Sequence, residues 1–178
     1  MWPHTDKIPS NSFLAKVFTT NGTNIYRDCY CITNPIAPNQ TSKNSQDVIL
    51  NNFAISFFTS PVFKLESYIL SFAGMRGPSR REIEGQVEPS SNLKPAFVIE
   101  NKTDSEIIFK SAEHIRTWLQ VSESNGIMYF RLGSAVDYSK GDTKALLTWI
   151  LTPFHQVYSR VLLYSAVQNY RRLNEEKK

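Results

Sequence analysis

The spacing of hydrophobic positions changes along the chain, and each change marks a different kind of element. Residues 1–24 are polar and turn-rich, with only Phe13, Leu14, Val17 and Phe18 suggesting a short packed element. Tyr26 to Thr33 reads as a strand carrying aromatic and thiol side chains, and 34–44 as a loop by its Pro, Asn and Ser content. Two helices follow. The first carries Val48, Leu50, Phe53, Ala54 and Phe57 behind a cap at Ser45 or Asp47. The second opens at Ser60-Pro61, with proline at the first helical position. It repeats apolar residues at Val62, Leu65, Ile69 and Phe72, and Gly74 stands where a C-cap belongs. The two helices are expected to meet at an angle near Ser60. A long loop then reaches Pro95, interrupted at Ser79-Arg80-Arg81-Glu82 by one capped helical turn.

From Phe97 the period shortens to that of a β-meander: Phe97–Glu100, Glu106–Lys110, His114–Val121 and Ile127–Val136. Ser122 to Gly126 is read as the hairpin loop, ending in the Asn-Gly turn pair, and Gly133 as a bulge. A turn over Asp137–Gly141 leads to a helix from a cap at Asp142 to about Leu173, with a kink expected just before Pro153. Its predicted core stripe is Ile150, Phe154, Val157, Val161, Tyr164 and Gln168, and further apolar residues flank that stripe.

This order of elements predicts an α+β fold of helix-grip type: a curved antiparallel sheet wrapped around a long C-terminal helix, with two short helices after the first strand. START-like and polyketide-cyclase-like proteins share that arrangement, in which the space between sheet and helix is an interior cavity. The chain divides into a polar N-terminal segment (1–24), one domain (25–173) and a charged tail (174–178).

Composition narrows the function classes. The chain has 178 residues, 41% hydrophobic and 20% charged, which fits one globular domain. No apolar run approaches the roughly 20 residues of a membrane span. The first ten residues have no apolar secretory core, so the expected location is cytoplasmic, and the Asn-X-Thr sequons at Asn21, Asn39 and Asn101 are set aside. The net charge of +4 says little, because Arg76, Arg80 and Arg81 are followed at once by Glu82, Glu84 and Glu88. No phosphate loop, zinc-finger spacing or RNA-binding signature accompanies it, so nucleic acid is not an expected partner. Cys29 and Cys31, two apart on a strand, face one way as reduced thiols, and three scattered histidines offer no metal-ligand spacing. No cofactor is expected.

From Phe97 to Ala166 the chain resembles the uncharacterised bacterial proteins grouped as domain of unknown function 2867. The resemblance rests on His114-Ile115-Arg116-Thr117-Trp118-Leu119, on Gly133-Ser134-Ala135-Val136, and on Pro153-Phe154-His155 with Tyr158-Ser159-Arg160. Phe57 to Gly77 is similar to that family's helical segment before its sheet. The resemblance implies a helix-grip-like domain and brings no assigned activity and no catalytic residues.

Candidate chemistry is sparse. His155 and Tyr158, three apart, share one side of the last helix and could bind a polar group or pass a proton; the alternative is that they anchor the helix to nearby backbone. His114, Arg116 and Trp118 share one strand face. Pointing outward they form a surface stripe with Arg116 beside Trp118; pointing inward they form a charged ligand clamp. The opposite face, Ile115, Thr117, Leu119 and Val121, has the better claim to the interior. Three readings follow. The first is a module binding a small apolar or amphipathic ligand, with Phe57, Phe72, His155 and Tyr158 in its site. The second is a cyclase- or hydratase-type enzyme using His155 and Tyr158. The third is an interaction or homodimerisation domain using the last helix.

Overall fold

The computed structural model describes residues 1–18, 25–35, 45–72, 74–85, 94–138 and 145–175. In chain order these form β1 (His4–Thr5), α1 (Phe13–Lys16), β2 (Ile25–Pro35), α2 (Gln46–Phe58) and α3 (Pro61–Phe72). Then come β3 (Met75–Arg76), α4 (Arg80–Ile83), β4 (Lys94–Pro95) and β5 (Val98–Lys102). The chain ends with β6 (Glu106–Ala112), β7 (Ile115–Ser124), β8 (Ile127–Asp137) and α5 (Ala145–Glu175). Six strands make one curved antiparallel sheet in the order β1-β2-β8-β7-β6-β5, so the first long strand lies beside the last. The fold is α+β, with α5 packed on the sheet and the short helices α2 and α3 between β2 and the meander.

Local signals explain most of the elements. The Ser60 hydroxyl accepts the Phe63 N–H at the start of α3, and α2 and α3 meet at 54°. Ser79 and Glu82 close a reciprocal capping box over α4. The Arg76–Glu82 and Arg80–Glu84 ion pairs answer the basic cluster within its own segment. Asn125 and Gly126 have φ of 52° and 71°, as a two-residue hairpin needs, and the expected longer loop shrinks because Ser122 to Ser124 stay paired to β8.

Register assigns the faces of the sheet. Thr117 lies opposite Ser134 and Leu119 opposite Leu132. Asp28 and Tyr30 of β2 lie opposite the same two β8 residues. This inner face meets α2, α3 and α5 in a core built on Phe53, Phe57, Phe58, Phe63, Phe109 and Phe130. Phe58 packs edge-on against Phe57, Phe63, Phe97 and Phe109 at centroid separations of 4.8–5.5 Å. Ile115, Thr117, Leu119 and Val121 thus face inward, as their alternation predicts.

The outer face is covered as well. Residues 1–18, the described part of the polar N-terminal segment, add β1 to the β2 edge and lay α1 across the sheet. Leu14 is fully buried there with Cys29, Ile108, Trp118 and Ala135. The sheet runs straight through Gly133, which pairs with both Cys29 and Trp118, so the expected bulge is absent from it. Register shifts occur instead between Ile99 and Asn101 and between Lys110 and Ala112. Gly133 is there because a Cβ would stand 2.4 Å from the Leu14 side chain and 2.8 Å from the Asp28 carbonyl.

Two helices turn a different face inward from the one their spacing predicts. On α5, Phe154, Val157 and Tyr164 are exposed, while Ser159, Leu162, Leu163, Ala166, Val167 and Asn169 are buried. Asn169 earns its buried position by donating to the Ser56 carbonyl and the Thr59 hydroxyl, both 2.9 Å away. On α3, Leu65 and Phe72 are exposed and Phe63 is buried. The helix α5 continues through Pro153, while the Asp142 cap and most of the 137–141 turn lie outside the described residues. No single helix among the described residues is long and apolar enough to cross a membrane.

Candidate functional site

Between the sheet, α3 and α5 the inner layer is not filled. A cavity of about 280 Å³ opens there, at the small end of the range for small-molecule sites. Phe57, Phe63, Phe97, Ile115, Leu132 and Leu162 supply an apolar wall, and Ser111, Thr117, Ser134, Ser159, Glu66, His155 and Tyr158 supply the polar one. His155 and Tyr158 therefore converge on one cavity, as their spacing on the helix requires.

Each is backed by a carboxylate from a distant element. His155 Nε2 lies 2.9 Å from the Ser134 hydroxyl, 3.4 Å from that of Ser159 and 3.3 Å from the Asp28 carboxylate. Asp28 also accepts the Ser134 N–H at 3.0 Å, the Ser134 hydroxyl at 2.6 Å and the Tyr26 hydroxyl at 3.2 Å. Burial pushes the Asp28 carboxyl up, but the hydrogen bonds from His155 and Ser134 outweigh burial and hold it below the usual carboxylate range. The Tyr158 hydroxyl donates to Glu66 on α3. Burial raises the Glu66 carboxyl above its usual range, against the opposing pull of Tyr158 and His155. Burial and then Glu66 push the Tyr158 phenol far up, so it stays a neutral donor.

This arrangement is not the relay of a serine hydrolase. In such a relay the carboxylate and the nucleophile hydroxyl meet opposite nitrogens of the ring. Here Asp28 and Ser134 meet the same nitrogen, Nε2. The cluster can instead hold His155 in place, offer hydroxyls to a ligand and carry a proton between His155 and a bound group.

The other candidates fall elsewhere. Phe57 lines the cavity, but Phe72, 78% exposed, packs edge-on against Tyr68 outside it. The reason is the rotation of α3, which turns Phe63 and Glu66 to the cavity and Phe72 to solvent. His114 lies in the turn before β7 and so does not share the strand face with Arg116 and Trp118; those two face away from the cavity, but the expected surface stripe is largely covered. Trp118 is fully buried, with its indole N–H on Glu106 at 2.7 Å, and Arg116 pairs with Glu100 and lies over the Phe18 ring, not over Trp118. The N-terminal segment makes that difference. Cys29 and Cys31 are buried free thiols on this outer face, and burial raises them to about 12 and about 11, so they are inert. Among the described residues no group of three or more His, Cys, Asp or Glu could hold a metal ion.

Sequence reasoning missed Asp28, Glu66, Ser134 and Ser159. One signal was present for Asp28: it is a lone charge on the strand face that also carries Tyr26 and Tyr30. Glu66 is likewise the lone acid of α3.

Fold and site together define an α+β protein whose curved antiparallel sheet packs against a long C-terminal helix, with a partly polar cavity between them. In comparison with known proteins, no family model, no curated protein and no solved structure matches the chain.

Proposed function

We propose that this protein is a binding domain for a small, compact molecule with an apolar body and an uncharged hydrogen-bonding group. The observation that carries the reading is the cavity of about 280 Å³, whose phenylalanine and leucine wall faces the hydroxyls of Ser134, Ser159 and Tyr158. The phenylalanine cluster beside it packs against itself without filling that space. An anionic ligand fits poorly, because the lining Glu66 carboxylate and, behind Ser134, Asp28 would oppose it. Resemblance to domain of unknown function 2867 belongs with this proposal as a fold relationship that adds no activity. A cytoplasmic location also belongs here, supported by two buried reduced thiols.

Native mass spectrometry of the purified protein tests the reading. A bound species of small-molecule mass is expected, and it is lost in an Ile115→Trp variant that fills the cavity. A wild-type protein that carries nothing and binds no neutral aromatic probe would sink it.

Acid–base catalysis in the same cavity is the second reading, favoured by the two carboxylate-backed groups His155–Asp28 and Tyr158–Glu66. A homodimer contact through α5 is favoured only by the exposed Phe154, Val157 and Tyr164. Sedimentation as a monomer at micromolar concentration would remove it.

A further inference from the structure

The two acids that back His155 and Tyr158 differ in how fully they are bonded. Asp28 accepts from the Tyr26 hydroxyl, from both the N–H and the hydroxyl of Ser134, and from His155. Against the push of burial, these donors hold its carboxyl low. Glu66, half-buried on the cavity wall, accepts through Oε2 from the Tyr158 hydroxyl. Its Oε1 has no hydrogen-bond partner among the described residues. Burial raises this carboxyl, because one donor does not offset the loss of water. A carboxylate has lone pairs for about four donors, and one removed from water is normally bonded more fully. Glu66 lacks a donor, and the open cavity is the space beside it.

The protons around the cavity point the same way. An ionised Asp28 can only accept, so Ser134 gives it the hydroxyl proton at 2.6 Å and takes the His155 Nε2–H at 2.9 Å. Neutral His155 then carries its proton on Nε2, which leaves Nδ1 an acceptor with no partner among the described residues. His155 stands near enough to Glu66 for its charge to act on that carboxyl. The Tyr158 proton goes to Glu66. The lining hydroxyls of Ser111, Thr117 and Ser159 can serve either way. What the polar wall holds unbonded and of fixed polarity is therefore an acceptor pair, Glu66 Oε1 and His155 Nδ1.

We infer, resting on the cavity being a ligand site, that its ligand presents a hydrogen-bond donor to Glu66, either an alcohol or phenol hydroxyl or an uncharged N–H. A hydrogen bond to a carboxylate is stronger than one between neutral groups, so this contact selects among ligands of one shape. Groups that only accept, such as an ether or a ketone, leave Glu66 unanswered.

Isothermal titration of the full chain at pH 8, well above the ordinary carboxylate range, tests this with three probes sharing one ring system. The hydroxyl of 2-naphthol donates, 2-naphthonitrile only accepts, and 2-methylnaphthalene does neither at nearly the size of the naphthol. The wild type should bind the nitrile and the hydrocarbon more than three-fold, and roughly ten-fold, more weakly than 2-naphthol. Glu66→Gln puts an amide NH2 where the free oxygen was, while its carbonyl keeps the Tyr158 bond. In that variant 2-naphthonitrile should bind within three-fold of 2-naphthol, or tighter. Wild-type binding of the nitrile or the hydrocarbon within three-fold of 2-naphthol overturns the donor and leaves the cavity a ligand site. A naphthol preference that stays above three-fold in Glu66→Gln also overturns it. Wild-type binding of none of the three overturns the donor and the ligand site together.

Discussion

The two faces of the sheet are built from similar materials to opposite effect. Each buries a carboxylate beside an aromatic residue. On the outer face Glu106 accepts the Trp118 indole N–H at 2.7 Å and the Phe13 backbone N–H at 3.0 Å, which staples α1 to the sheet. Leu14 reaches so far down into that layer that only glycine fits at 133. On the inner face Asp28 bonds Ser134 and His155, but beyond them lies a cavity, and the His155 side chain is 38% exposed. A buried acid is a structural staple where space is full and a candidate site where space and solvent remain.

Substitutions can break this contrast, and the largest effect belongs to the sealed face. Leu14→Ala should cost about 3 kcal/mol, because it opens a void in a filled layer. Ile115→Ala, on a wall that already faces open space, should cost less than half as much by urea denaturation. Gly133→Ala should lose about 2 kcal/mol: the Leu14 side chain can yield, but the Asp28 carbonyl 2.8 Å from the new Cβ belongs to the paired backbone of β2. Glu106→Ala strands the buried Trp118 indole N–H and the partly buried Phe13 N–H and should cost about 1–3 kcal/mol.

Protonation sharpens the comparison on the inner face. The Asp28 carboxyl is held low, so the unfolded chain binds its proton more tightly than the folded one. Its stabilisation is complete above the ordinary aspartate value of about 3.9 and is lost as the pH falls through the folded-state value. Unfolding free energy measured between pH 2 and 7 should therefore drop with acid in the wild type and drop less in Asp28→Asn. Glu66 runs the other way. Its carboxyl is raised, so its contribution is present below the ordinary glutamate value and fades as the pH rises through the raised one. Glu66→Gln should consequently leave stability at neutral pH within about 0.5 kcal/mol of wild type, or above it, the smallest effect of the set.

Much of this organisation is legible in the chain where it is local. Capping at Ser79, the Ser60-Pro61 start, the Asn-Gly turn and the inward set on β7 each follow from a few neighbouring residues. The orientation of α5 does not, because the helix is apolar on two sides and its buried face includes the polar Ser159 and Asn169. Those two are inside because His155, Ser56 and Thr59 bond them, and those partners lie on other elements or one turn away. The site divides in the same way. His155 and Tyr158 are readable as a pair on one helix, whereas Asp28, Glu66 and Ser134 join them only through the pairing of β2 with β8 and the packing of α3 on α5. Trp118 and Arg116 are placed correctly away from the cavity, but their cover comes from the N-terminal segment, whose few apolar residues gave little sign of it.

The most direct measurement is a fluorescence titration of the wild type and Ile115→Trp with 2-naphthol and with 2-naphthoate, one ring system neutral and the other anionic. The wild type should bind 2-naphthol saturably and 2-naphthoate far more weakly, and Ile115→Trp, melting like the wild type, should bind neither. Failure of the wild type to bind 2-naphthol, or undiminished binding by the filled variant, would contradict a ligand cavity between the sheet and the C-terminal helix.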